Sequence, residues 1–201
     1  MGSKERIQRF KDDSKEKILA AALNIAKNEG WQALSMRKIA DQIEYTAPFI
    51  YEYFVNKEAI LFELTKRGYR ILTKEIIEAR NKNENADDKL EAMWIAYWDF
   101  AFTHRELYRL MYGVDMVCFT SECAMPEVEN LYDILSNIIR LYFNEKEVSE
   151  ERVRIKYYTY WSMIHGLISI NLIHLNGRIS YELNRQILRD AIQSITQSIK
   201  G

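Results

Sequence analysis

The chain has 201 residues, with 28 Lys and Arg against 29 Asp and Glu and a formal net charge of −1. That balance excludes a histone-like polycation, so any grip on a polyanion has to come from a local patch. Two prolines and seven glycines leave few breaks and point to an all-helical chain, while two cysteines are too few for a disulfide-rich secreted scaffold.

The opening residues, MGSKERIQRF, are charged and lack the apolar run of a secretory signal. Arg6 stands where a myristoylation pattern requires Ser or Thr. A cytoplasmic protein is therefore expected. Residues 1–12 are polar and basic, with Lys4, Arg6, Arg9 and Lys11. They read as a disordered tail or as an arm that touches phosphate or the minor groove. Residues 13–29 read as a helix, opened by a capping-box pattern at Asp13 and Glu16. Ile18, Ala22 and Ile25 form its apolar stripe, flanked by Leu19, Leu23 and Ala26. Gly30 is expected in a left-handed conformation at its end, with Trp31 packing back on the last turn.

The stretch 35–54, SMRKIADQIEYTAPFIYEYF, reads as two short helices joined by a tight turn. Ser35 is a good N-cap, and Met36, Ile39, Ala40 and Ile43 give the first helix one apolar face. Glu44 and Tyr45 form the turn, Thr46 is the second N-cap, and Pro48 falls in the first turn of the next helix, where its missing N–H costs nothing. Ile50 and Phe54 face inward, leaving Ala47, Phe49, Tyr51 and Tyr53 to meet something else.

These residues, with the lead-in Gly30…Ala33-Leu34-Ser35-Met36-Arg37-Lys38-Ile39-Ala40 and the continuation Asn56-Lys57-Glu58-Ala59-Ile60-Leu61, resemble the DNA-binding region of TetR-type transcriptional regulators. The resemblance implies a three-helix helix-turn-helix domain over residues 1–55 and a helical ligand-binding and dimerisation domain over residues 56–201. Carried over position by position, it implies that Arg37, Tyr51, Tyr53 and Lys57 hold phosphates, and Ser35 is counted with them. Thr46 suits a phosphate at a helix N-terminus. Ala47, Pro48 and Phe49 match the base-facing start of the recognition helix. None of the three can form the bidentate bonds that read G or A, but all can touch thymine methyls. Phe49 is bulkier than the Ser or Thr usual in the family, and Glu44 replaces a usual Gly.

Asn56 caps a long helix over residues 57–81 whose buried side is Ile60, Leu61, Leu64, Leu72 and Ile76. Residues 80–89 read as a polar connection. From Leu90 onward aromatic and Met residues crowd in, with a break expected near His104 and a short helix over 107–112. Residues 113–126 show no period. Further helices are expected over 128–143, from a Ser149 cap to about Gly177, and over 180–200. Residues 157–177 carry no Asp, Glu, Lys or Arg and are long enough for a membrane span. Thr159, Ser162, His165, Ser169, Asn171 and His174 dilute the run on several faces, so no membrane segment is expected. A helix uncharged all round is buried on more than one side, and a second copy of the chain is the simplest partner. Ile187, Leu188, Ile192, Ile195 and Ile199 of the last helix fit the same plan, a four-helix homodimer interface.

The run Trp161-Ser162-Met163-Ile164-His165-Gly166-Leu167 resembles the Trp…His-Gly signature of WHG-type C-terminal domains, and residues 104–111 resemble the segment before its pocket loop. Trp94, Tyr97, Trp98, Phe102, Met111, Tyr112, Phe119, Trp161 and His165 are the candidate lining of a pocket for a small hydrophobic or aromatic effector. Each alone reads as ordinary aromatic core; as a set they suit an apolar site with a few polar handles. Metal ligation is not expected. His165 and His174 lie nine residues apart and face opposite ways, and neither has zinc spacing with Cys118 or Cys123. The two cysteines are expected to be reduced, with a redox pair between them as the alternative. No cofactor is expected. With no Gly-rich phosphate loop, nucleophile–base constellation or paired acids, the chain reads as a one-component regulator, not an enzyme. It is expected to be a repressor released from palindromic operator DNA by its effector. The rival readings are a DNA-binding regulator without an effector and a helical small-molecule-binding enzyme.

Overall fold

The computed structural model describes residues 2–113, 125–143, 147–173 and 180–200, and every regular element among them is helical. The order is α1 (Ser3–Glu29), a short 3-10 turn (Trp31–Ala33), α2 (Met36–Gln42), α3 (Ala47–Tyr51), α4 (Lys57–Asn81), α5 (Ala86–Thr103), α6 (Arg105–Tyr112), α7 (Pro126–Arg140), α8 (Glu150–Ile173) and α9 (Tyr181–Lys200). The chain divides into two compact units. The described residues within 1–68 and 106–123 form one, and those within 69–105 and 124–201 form the other.

In the first unit, α1 begins ten residues before the expected start. Residues 3–12 are helix, not a tail, because Lys, Glu, Arg and Gln favour helix and no Gly or Pro interrupts them. Glu5 turns back to accept from the Gly2 N–H at 2.9 Å. Asp13 and Glu16 therefore lie inside a continuous helix and cap nothing. Ile7 and Phe10 extend the apolar stripe onto turns where both are exposed. Farther along, Ile18, Leu19, Ala22, Ile25 and Ala26 are buried as their spacing requires. Gly30 has φ 83° and ψ 161°, a conformation open essentially to Gly alone. Trp31 then turns inward, and its Nε1 donates to the Glu106 carbonyl at 3.1 Å.

Of the two caps predicted for the helix-turn-helix, Ser35 makes its bond, whereas the Thr46 side chain makes none. Lys38 N–H donates to Ser35 Oγ at 3.2 Å, and Met36, Ile39 and Ala40 are buried. Asn56 Oδ1 accepts from Ala59 N–H at 2.8 Å and opens α4. Near the end of this unit, α4 and α6 approach closely at Gly68. A Cβ built there falls 2.4 Å from Met111 Sδ and 3.6 Å from Leu107 Cβ.

In the second unit the polar connection is shorter than expected, since Asn85 Oδ1 accepts from Asp88 N–H at 2.8 Å and starts α5. His104 ends α5, and its Nε2 lies 3.1 Å from Glu75 Oε1. The core between α5, α7, α8 and α9 holds Trp94, Tyr97, Phe100, Leu135, Ile139, Tyr160, Ile164, Ile168, Leu188 and Ile192. Buried polar pairs tie α8 to α9. Thr196 Oγ1 donates to the Ile192 carbonyl at 2.8 Å, so it accepts from the Tyr160 hydroxyl at 2.7 Å. Burial pushes that phenol up to about 12. Leu188, Ile192 and Ile199, assigned from sequence to a partner interface, are buried within the chain itself, whereas Ile187 is exposed. Among the described residues no helix is long and apolar enough to cross a membrane.

Candidate nucleic-acid interface and interior aromatic cluster

α3 is only five residues long, and Ile50 is its one buried residue. Ile50 and, beyond the helix, Phe54 anchor it to the core. Thr46 stands at the N-cap with no hydrogen bond from its side chain, and Pro48 follows inside the first turn. The turn before α3 is tight. Glu44 has φ 60°, and Tyr45 N–H donates to the Ala40 carbonyl at 2.9 Å. Glu44 thus adopts the left-handed conformation that a Gly would take without strain.

Ser35, Arg37, Thr46 and Pro48 are exposed, and Ala47, Phe49, Tyr53 and Lys57 are half-buried. Tyr51 is 54% exposed, which separates it from the core. Tyr53 is not simply turned outward. Its ring lies 5.1 Å from that of Phe49, and Phe49 is in turn stacked on Tyr45 at 4.1 Å with 23° between planes. Tyr45, read from sequence only as a turn residue, therefore belongs to a row of three aromatic rings. The signal was present in its spacing, since residues 45, 49 and 53 are four apart. Lys38 is not a free cation, because its Nζ is paired with Glu29.

The nine residues singled out for an effector pocket have different placements. Trp94, Tyr97 and Trp98 are buried on α5, and Trp161 and His165 are half-buried on α8. Phe102 packs against Trp98 at 4.8 Å but is itself exposed. Met111 and Tyr112 belong to the first unit. Phe119 lies outside the described residues, as do Cys118, Cys123 and His174.

Four of these residues are joined directly. Trp94 meets Tyr97 edge-on at 5.8 Å, Trp161 Nε1 donates to the Tyr97 hydroxyl at 2.9 Å, and Trp161 stacks on His165 at 5.2 Å. Tyr157 and Tyr160 complete the cluster, Tyr160 stacking on Trp94 at 5.4 Å and Tyr157 lying 6.3 Å from it. Neither was singled out from sequence, although both share the i, i+4 row with Trp161 and Ile164. Trp94 Nε1 is buried and has no hydrogen-bond partner among the described residues. Burial lowers the His165 pKa below its ordinary value, so the imidazole is neutral at pH 7. Among the described residues no group of three or more His, Cys, Asp or Glu side chains could hold a metal ion.

Comparisons with known proteins agree with this geometry. Residues 18–64 match the family model of bacterial regulatory proteins of the tetR family, and residues 90–192 match that of the tetracyclin repressor-like C-terminal domain. The chain belongs to the TetR family of DNA-binding transcriptional regulators. It is similar to the transcriptional activator FasR of Mycolicibacterium smegmatis, 24% identical over 132 residues that make up 63% of this chain and 60% of that protein. It is also similar to the transcriptional repressor KstR of Rhodococcus jostii, 27% identical over 156 residues, 77% of this chain and 71% of that protein. The match to FasR thus spans less than two thirds of its length. Among solved structures, the regulatory protein SCO4313 matches with a TM-score of 0.77 at 15% identity, covering 94% of this chain and 97% of that one. The fatty acid degradation regulator FadR from Bacillus halodurans matches with a TM-score of 0.66 at 16% identity, covering 93% and 94%. Likeness at such identity shows the fold.

Proposed function

We propose that this chain is a homodimeric repressor that leaves its operator when a hydrophobic small molecule binds the C-terminal domain. The DNA-binding part is residues 1–55, and residues 56–201 dimerise and take the effector. The observation that carries the DNA contact is the exposure of Tyr51, Arg37 and Thr46 around a recognition helix whose one buried residue is Ile50. Ser35, Arg37, Thr46, Tyr51, Tyr53 and Lys57 serve phosphates, which fix register, and Ala47, Pro48 and Phe49 face the bases. Two copies reach successive major grooves when their recognition helices stand about one DNA turn apart, ~34 Å.

Dimerisation through α8 and α9 is supported by the side chains these helices leave uncovered. Ile155, Tyr158 and Ile170 on α8, with Leu183 and Ile187 on α9, are exposed in the single chain. Ile155, Tyr158, Thr159 and Ser162 also line a shallow groove of about 480 Å³. The effector reading is supported by the aromatic cluster and by the buried Trp94 N–H, which has no acceptor among the described residues. A buried donor without an acceptor costs about 1–3 kcal/mol, which a ligand carbonyl or carboxylate would relieve. The neutral His165 and the Tyr97 hydroxyl supply the remaining polar handles, consistent with the WHG-type resemblance around Trp161. A cytoplasmic protein without enzymatic activity fits this reading. One relative is named as an activator and another as a repressor, so repression is a part of this proposal that family membership does not supply. The name of FadR directs the first ligand screen to fatty acids and related acyl compounds.

Native mass spectrometry of the purified protein, then of its complex with a duplex selected from random sequence, tests the whole reading. The expected species are a dimer and a dimer–DNA complex that dissociates when an acyl compound is added. A monomer that binds no duplex would remove the proposal. A dimer whose DNA complex is indifferent to every hydrophobic compound would leave a regulator without an effector.

A further inference from the structure

We infer that Tyr45 is a specificity-determining residue, a positioning residue that acts through Phe49 to make this chain select a thymine in each half-site. The inference rests on the reading that α3 enters the major groove. Its starting point is the row of rings. Phe49 is held on one side by Tyr45, stacked at 4.1 Å, and on another by Tyr53, tilted at 5.1 Å. The backbone of Tyr45 is itself fixed, because its N–H is bound by the Ala40 carbonyl at 2.9 Å just after the left-handed Glu44. Tyr45 remains 40% exposed, so the row lies at the surface and not in the core.

A side chain held between two rings has lost most of its rotamer freedom before DNA arrives. Its contact with a base then carries little further ordering cost. The surface it presents is hydrocarbon. Ala47 and Pro48, its neighbours at the start of α3, add no donor or acceptor in their side chains. Among the major-groove groups of the four bases, the thymine 5-methyl is the one that a rigid hydrocarbon edge favours. A methyl contact depends on close fit, which is why a ring that fixes Phe49 bears on base choice. Without Tyr45, Phe49 regains rotamers and the methyl contact becomes one of several.

The test pairs protein variants with single-atom-group changes in DNA. A duplex enriched by the wild-type protein is resynthesised with each thymine of one half-site replaced in turn by uracil, which removes only the 5-methyl. At one position the wild type is expected to bind about fourfold more weakly to the uracil duplex, the worth of one buried methyl group. Tyr45→Phe keeps the ring and is expected to keep that ratio. Tyr45→Ala and Tyr45→Leu are expected to bring the ratio close to one, and circular dichroism identifies which of them is folded and therefore informative. A merely structural Tyr45 would lower affinity for thymine and uracil duplexes equally and leave the ratio unchanged. That result overturns the inference, as does a wild type indifferent to uracil at every position. Failure of the wild type to enrich any duplex would instead remove the DNA-reading function on which it rests.

Discussion

The side-chain amides of Asn171 on α8 and Asn184 on α9 exchange two hydrogen bonds, at 3.0 and 2.8 Å. Asn184 is buried, and its Nδ2 also donates to the Ser180 carbonyl at 3.1 Å. A reciprocal amide pair of this kind matches in one register of the two helices, because each donor needs the other's acceptor. Replacing Asn184 by Ala leaves part of Asn171 unsatisfied. The expected destabilisation is about 1–3 kcal/mol, and the Asn171→Ala, Asn184→Ala double variant should lose less than the sum of the singles. Urea unfolding at one fixed protein concentration checks this, and strict additivity would contradict it.

Glu44 holds φ 60° in the turn between α2 and α3. An L-residue there carries a strain of about 1–2 kcal/mol, part of which Gly returns through its greater freedom in the unfolded chain. Glu44→Gly should therefore stabilise the protein by about 0.5–1 kcal/mol. A lower melting temperature for the variant would show that the Glu44 side chain makes a compensating contact.

Gly68 lies where a Cβ would meet Met111 Sδ at 2.4 Å. Gly68→Ala gains helix propensity worth about 1 kcal/mol and loses about 1–3 kcal/mol to overpacking. Net destabilisation is expected, and it should vanish in a Met111→Ala background, where the sulfur is gone. The diagnostic quantity is the coupling in a double-mutant cycle, and zero coupling would mean that Met111 simply swings aside.

His165 titrates below its ordinary value because burial disfavours the imidazolium. The unfolded chain therefore binds a proton first as pH falls. Stability contributed by this group is complete above about pH 6.5, the unfolded value, and declines as pH falls from there towards the lower folded value. His165→Gln should flatten the stability profile in that window. An unchanged slope between pH 7 and pH 5 would assign the acid sensitivity to other groups.

Arg37 and Tyr51 are assigned to phosphates but differ in charge, and salt dependence tells them apart. Arg37→Ala should lower the slope of log affinity against log salt by about 0.9 per protomer. Tyr51→Phe removes a neutral hydrogen bond worth about 0.5–1.5 kcal/mol per contact and should leave the slope alone. Affinity for Tyr51→Phe equal to wild type at every salt concentration would exclude a hydroxyl–phosphate bond.

What sequence made legible was local. Ser35, Asn56 and Ser149 accept from the backbone N–H three residues on, and each was readable from residue type and the apolar run behind it. The early start of α1 was not readable, because a capping pattern at Asp13 competed with a stretch that simply had no reason to stop. Which side of α9 packs within the chain was equally hidden. Leu188 and Ile192 have the same apolar character as the exposed Ile187, and only the tertiary placement of α5 and α8 separates them. On α3, the exposure of Tyr51 was legible from its offset to Ile50. The part played by Tyr45 depends on a left-handed Glu44, a conformation that residue identity argues against.

The shortness of α3 has a consequence for descent. Ile50 is its one buried residue, so the anchor of the helix is separate from the positions at its start. Changes at Ala47, Pro48 or Phe49 alter what the surface offers without removing the anchor that folds it. After gene duplication, one copy can drift to a new set of promoters while keeping its scaffold intact. Under the function proposed above, effector response and target choice would then be inherited on separate parts of the chain and could be reshuffled by selection one at a time.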